Sequence, residues 1–209
     1  MKLILASQSA GRAALLKAAG YRFRQIPSNI HEPEPPEGTH LERYVLELAI
    51  LKARAVAARH PEAIVIGADT ALILGRRIIG KPDTLAEACR MLAELGGRRH
   101  RISSAACVIL PSQAGKPRVM KRVDTAYVIL RKWSPARIKQ HVALTRPLSW
   151  AGAYAVQNPL SAAIVERIEG DLATVIGLPM GKLEKVFSAR YSIGRFSHCL
   201  TSNVARSPR

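Results

Sequence analysis

The run Ala63-Ile64-Val65-Ile66-Gly67-Ala68, which leads straight into Asp69 and Thr70, limits this chain more than any other feature. It has the length of a strand and carries no polar side chain on either face. Such a strand must be covered on both sides, which calls for helices packed over a sheet, an α/β fold.

The remaining segments supply those partners. Lys2 to Ala6 reads as a short buried strand that delivers Ser7-Gln8-Ser9-Ala10-Gly11-Arg12 into a turn. A helical run, Ala13 to Ala19, follows and closes at Gly20. Tyr21 to Ile26 alternates as a strand does, and the prolines from Pro27 to Gly38 make a stiff loop. Between Leu41 and Arg59, the residues Leu41, Val45, Leu48, Ala49, Ala53 and Val56 recur at helical spacing, with Lys52 on the same stripe. Ala71 to Leu74 and Arg77 to Ile79 flank Gly75-Arg76 as a hairpin, and Thr84 with Glu87 forms a capping box for a helix to about Leu95. Arg101 to Leu110 and Val119 to Leu130 form a long hairpin, and a helix follows from Pro135 to about Leu144. Then come a strand from Ala162 to Ile168, a turn at Glu169-Gly170-Asp171, a β-branched piece at Thr174 to Ile176, and a helix opening at Pro179.

A chain of 209 residues can bury one substantial core. The domain is expected over 1–187, because 188–209 contains Arg190, Arg195, Arg206 and Arg209 but no Asp or Glu, and reads as a basic tail. No apolar run approaches the ~18 residues of a membrane span. Met1 to Ala6 is too short an apolar opening for a signal peptide, and Cys89, Cys107 and Cys199 show neither zinc spacing nor a disulfide framework. The expected location is cytoplasmic.

Charge narrows the partners. With 32 Lys+Arg against 15 Asp+Glu, the net charge of +17 attracts polyanions. Nucleic acid is the less favoured of these, since neither Arg98-Arg99-His100-Arg101 nor Lys121-Arg122 contains an aromatic residue on which a base could stack.

Against this background Asp69 is the leading general-base or metal-ligand candidate, at the expected carboxyl end of the buried strand, where α/β folds open a crevice. Lys52 on an apolar stripe must either snorkel outward or meet an anion. Lys81 in Gly80-Lys81-Pro82 adds a second cation, as a triphosphate requires. Ser7, Ser9, Gly11 and Arg12 lie between strand and helix, where backbone N–H groups face an anion, but they match neither the P-loop nor GxGxxG. Glu32 and Glu34 bring carboxylates suited to a divalent cation, or form an ordinary solvated acidic loop.

In order along the chain, these segments resemble the Maf, or septum-formation inhibitor, family. Leu5-Ala6-Ser7-Gln8-Ser9-Ala10-Gly11-Arg12 is similar to its LASxSPRR, Leu48 to Ala53 to LAxxKA, and Gly67-Ala68-Asp69-Thr70 to GADT. Gly80-Lys81-Pro82, Gly97 to His100, Ala151-Gly152-Ala153-Tyr154 with Gln157, Glu169-Gly170-Asp171 and Gly177-Leu178-Pro179 extend the likeness to about Phe187. The resemblance implies a two-lobed mixed sheet flanked by helices around a central cleft. It also implies pyrophosphatase activity on nucleoside triphosphates with Mg²⁺ or Mn²⁺, and a homodimer. On it, Asp69 accepts the proton of the attacking water, with Lys52 and Lys81 completing the catalytic set. Ser7, Ser9 and Arg12 hold the triphosphate together with those lysines, and Glu32 joins Asp69 at the metal. The family contains enzymes preferring dTTP and UTP and others acting on 7-methyl-GTP. Thr70 and Gln157 look like the first kind, and Gly11 matches neither the Arg nor the Trp of the remaining discriminating position. The chain also departs from the family at Ala10, Trp150 and Arg146, where Pro, Lys and an acidic residue are usual. These departures leave open a pyrophosphatase of broad specificity or one acting on 7-methyl-GTP or modified nucleotides, or a weakly catalytic, nucleotide- or nucleic-acid-binding regulator.

Overall fold

The computed structural model describes residues 2–35, 39–111 and 116–187; the expected basic tail lies outside the described residues. Strands β1 (Leu3–Ala6), β2 (Arg24–Gln25), β3 (Ile64–Leu74), β4 (Arg77–Ile79), β5 (Arg99–Leu110), β6 (Arg118–Leu130) and β7 (Val165–Glu169) join in one mixed sheet. Its order is β2-β1-β3-β5-β6-β7, with β4 on β3. Helices α1 (Ala10–Ala18), α2 (Leu41–Ala57), α3 (Leu85–Leu95), α4 (Pro135–Thr145), α5 (Pro159–Ala162), α6 (Leu172–Ile176) and α7 (Met180–Phe187) accompany it.

Alternation along β3 sorts the core. Ile64, Ile66 and Ala68 pack with Leu15 and Leu16 of α1 and with Leu178 and Leu183, whereas Ala71 and Ile73 pack with Val45, Ala49 and Ala53 of α2. Gly67 lies on the α2 side, and a Cβ there would come within 2.4 Å of the Ala49 carbonyl and 2.5 Å of the Ala53 nitrogen. Only glycine lets the helix backbone approach the strand so closely.

Several expectations are met: the α2 stripe, the Thr84 cap of α3, the β3–β4 turn and the long β5–β6 hairpin. Others need correction. The strand does not end at Asp69 but continues to Leu74, because Asp69 and Thr70 stay paired with Ala105 and Ser104 of β5. Only Arg24–Gln25 of the Tyr21 to Ile26 segment is strand, since its pairing with β1 covers Ile4 and Leu5 alone. β7 starts at Val165, because Asn158 caps a short helix over Pro159–Ala162. Thr174 to Ile176 belongs to α6, which Asp171 opens by accepting a hydrogen bond from the Ala173 N–H.

Candidate active site

One edge of β3 is covered by β5 from Val65 to Ile73. The other edge is shared: β1 pairs parallel with it as far as Gly67, and β4 pairs antiparallel from Leu72. Among the described residues, 68–71 have no neighbouring strand on that edge, and there a cleft of about 750 Å³ opens. Asp69 and Thr70 point to opposite faces of the sheet, yet both line this one cleft, because the sheet is interrupted between them and β1. The crevice therefore does lie beyond the carboxyl end of a parallel strand, but that strand is β1.

On the α2 face, Lys52 reaches Asp69. Its Nζ is 2.5 Å from Asp69 Oδ1 and 2.7 Å from Glu32 Oε1. The Lys52 and Asp69 side chains are 10% and 12% exposed and Glu32 is 50% exposed, so an inner buried pair is met by a carboxylate from the rim. Burial outweighs the pull of Lys52 and Arg12 and holds the Asp69 carboxyl above its ordinary range. The loop carrying Glu32 is fastened by the Tyr44 hydroxyl, which donates to the Pro33 carbonyl at 2.8 Å.

On the opposite face Ser9 caps α1 by accepting from the Arg12 N–H at 3.3 Å. The Arg12 side chain donates to the Gly177 carbonyl (2.9 Å), Ser7 Oγ (3.0 Å) and Thr70 Oγ1 (3.1 Å). Lys81 lines the same cleft, placed by the Gly152 N–H donating to the Gly80 carbonyl at 2.9 Å. Gln157 lies at the junction with a side pocket of about 170 Å³ lined by Leu72, Ile102, Tyr154 and Val175 and shared with Thr70.

Of the residues named from sequence, Ser7, Ser9, Arg12, Glu32, Lys52, Asp69, Thr70, Lys81 and Gln157 thus line one cleft. Glu34 is exposed and does not line it, because the loop turns only Glu32 towards Lys52. At Gly11 a side chain would be tightly placed: a Cβ would meet Ile176 Cγ2 at 3.0 Å and Gln157 Nε2 at 3.2 Å, so those two side chains would have to give way. Trp150 lines both cavities, and Arg146 is exposed at the left-handed cap of α4, outside both. Tyr44 and Ser104 were not found by sequence reasoning. Tyr44 follows the N-terminus of a helix without distinguishing itself, and Ser104 is one of two serines in a buried strand.

Fold and cleft together define a class: a mixed-sheet α/β protein whose crevice sets one buried carboxylate among cations. The family model described as Maf-like protein matches residues 2–190, and this chain belongs to the Maf family. A protein named dTTP/UTP pyrophosphatase from Oleidesulfovibrio alaskensis is 39% identical over 87% of this chain and 81% of its own. Another of that name, from Moorella thermoacetica, is 40% identical over 90% of this chain and 94% of its own. Among solved structures, a HAM1 protein from Coxiella burnetii shares the fold with a TM-score of 0.50 and 17% identity, over 90% of this chain and 99% of that one.

Proposed function

We propose that this protein hydrolyses nucleoside triphosphates to the monophosphate and pyrophosphate, with dTTP and UTP preferred. The observation that carries the reading is Asp69, buried against Lys52 in a cleft that Arg12 and Lys81 also line. Its volume falls within the range of about 300 to 1,000 Å³ usual for small-molecule sites. The names of the relatives support the activity and the base preference.

In this reading Ser7, Ser9, Arg12, Lys52 and Lys81 hold the triphosphate. Asp69, whose raised proton affinity suits a base, takes a proton from water as the water oxygen bonds to the α phosphorus. The bond to the α–β bridging oxygen breaks, and the displaced pyrophosphate carries its electrons and charge towards Arg12 and the lysines. Thr70 and Gln157 face the base, whose flat ring suits the apolar side pocket and whose edge finds both donor and acceptor in the Gln157 amide.

Mg²⁺ or Mn²⁺ fits the donor set. The Glu32 and Asp69 carboxylates converge on one ammonium, so their oxygens are placed to share a cation, and both are hard ligands. Among the described residues no group of three His, Cys, Asp or Glu forms a site in advance, so the phosphates would supply further ligands. When bound, such an ion neutralises phosphate charge and polarises the reacting oxygen atoms. A homodimer and a catalytic unit over 1–187 belong to the same proposal, and deleting 188–209 should leave turnover intact.

The test is pyrophosphate release from dTTP, UTP, CTP, GTP and 7-methyl-GTP with Mg²⁺ or Mn²⁺. Turnover should be fastest on dTTP and UTP and vanish in Asp69→Asn; wild-type turnover by that variant would remove Asp69 from the base role. Folded wild-type protein that releases pyrophosphate from none of the five would overturn the assignment.

A further inference from the structure

Arg12 is gripped from behind. A guanidinium has five N–H bonds, and three of those on Arg12 are spent on Gly177, Ser7 and Thr70. Behind Thr70 stands Ser104, which is fully buried and lines neither cavity. Its Oγ is 2.8 Å from Thr70 Oγ1 and donates to the Thr174 carbonyl at 2.7 Å.

Proton counting fixes the direction of this chain. A hydroxyl has one proton, and the Ser104 hydroxyl is set to donate its own to the Thr174 carbonyl at 2.7 Å. Leaving that buried acceptor unpaired is costly, so the Ser104 proton goes there. Two hydroxyl oxygens 2.8 Å apart need a proton between them, and it must come from Thr70. The alternative acceptor for Thr70, the Gly177 carbonyl, is farther away at 3.3 Å and is already engaged by Arg12 Nε. The Thr70 lone pairs are therefore left facing the Arg12 Nη2–H.

The far end of the chain is fixed as well. Thr174 Oγ1 donates to Asp124 Oδ2 at 2.8 Å, and Lys182 Nζ lies 2.5 Å from Asp124 Oδ1. From this geometry we infer that Ser104 is a positioning residue for triphosphate binding: it turns the Thr70 hydroxyl into an acceptor that orients the Arg12 guanidinium towards the cleft. This role rests on the reading of the cleft as a triphosphate site. Without the Ser104 hydroxyl, Thr70 is free to rotate, and Arg12 loses the direction of one of its three anchors.

The experiment uses inorganic tripolyphosphate, which carries the charge without a base and reports on Arg12 without turnover. Its Kd is measured by calorimetry for the full chain, Ser104→Ala, Arg12→Lys and the double variant. Ser104→Ala should raise Kd by about fivefold, the worth of one ordinary hydrogen bond, and by less than twofold when Arg12 is already Lys. Ser104→Thr, which keeps the hydroxyl, should restore the wild-type value. An unchanged Kd in Ser104→Ala, or the same loss in both backgrounds, overturns the inference, since a purely structural defect would not depend on Arg12. Should the alanine variant fail to fold, Ser104→Cys, nearly isosteric and a weak hydrogen-bonding group, takes its place under the same criteria. Tripolyphosphate binding indifferent to Arg12→Lys would instead refute the cleft reading itself.

Discussion

Gly67→Ala should damage the active site without touching any residue in it. The added Cβ would lie 2.4 Å from the Ala49 carbonyl and 2.5 Å from the Ala53 nitrogen, and both are backbone atoms of α2 that no rotamer change can move. Restoring an ordinary contact of about 3.5 Å requires the helix to retreat from β3 by roughly 1 Å. Lys52 is carried on α2 between those two positions, so its ammonium is drawn away from Asp69 by a similar amount. Overpacking of this kind costs about 1 to 3 kcal/mol, which in a domain of this size lowers Tm by roughly 2 to 12 °C. Misplacing a catalytic group by ~1 Å can cost about 100-fold in rate. Thermal melts followed by circular dichroism, with pyrophosphate release from dTTP on the same preparations, read both effects. A variant that melts within a degree of wild type and turns over normally would show that α2 is not seated on Gly67 as described.

Further outcomes follow from the titrating groups. Since burial holds Asp69 above the ordinary carboxylate value, kcat/KM should fall on acidification with an apparent pKa above about 3.9; an acid limb at or below that value would refute it. The same shift means that folding takes up a proton between the ordinary and raised values, so stability declines as pH rises through that window. In Asp69→Asn that decline should be absent from urea melts. His100 behaves oppositely: it is buried with Nε2 2.7 Å from the Tyr154 hydroxyl, and burial lowers its pKa from 6.5 to about 4. The unfolded chain then binds the extra proton, and about 3 kcal/mol of stability should be lost as pH falls from 6.5 through 4. His100→Gln should flatten that part of the stability profile, and an unchanged slope would count against a neutral buried imidazole.

The parts legible in the sequence were those with a local period or cap. The α2 stripe announced both its helix and the misfit of Lys52, and the Thr84 and Glu87 pair announced α3. Where polar residues interrupt a strand, local reading failed: Asp69 and Thr70 looked like a terminus because their pairing to β5 is set by residues some 35 positions away. α6 was obscured by β-branched Thr174, Val175 and Ile176, and it is held as a helix by the Asp171 cap and by Thr174 bonding to Asp124. The charged residues of the cleft were legible through their chemical anomaly or family likeness. Ser104 was not, because a serine in a buried strand reveals nothing until its acceptor arrives from the far end of the chain.

That distance has a consequence for the newly made protein. Arg12 leaves the ribosome early, but the carbonyl that receives its Nε, at Gly177, follows 165 residues later. Strands β1, β3, β5 and β6 can pair before then, yet the Gly177 carbonyl that anchors the guanidinium is not in place until the last helices emerge. A growing or prematurely terminated chain is therefore expected to carry a sheet without a finished cleft, so that nucleotide handling begins only when synthesis is nearly complete.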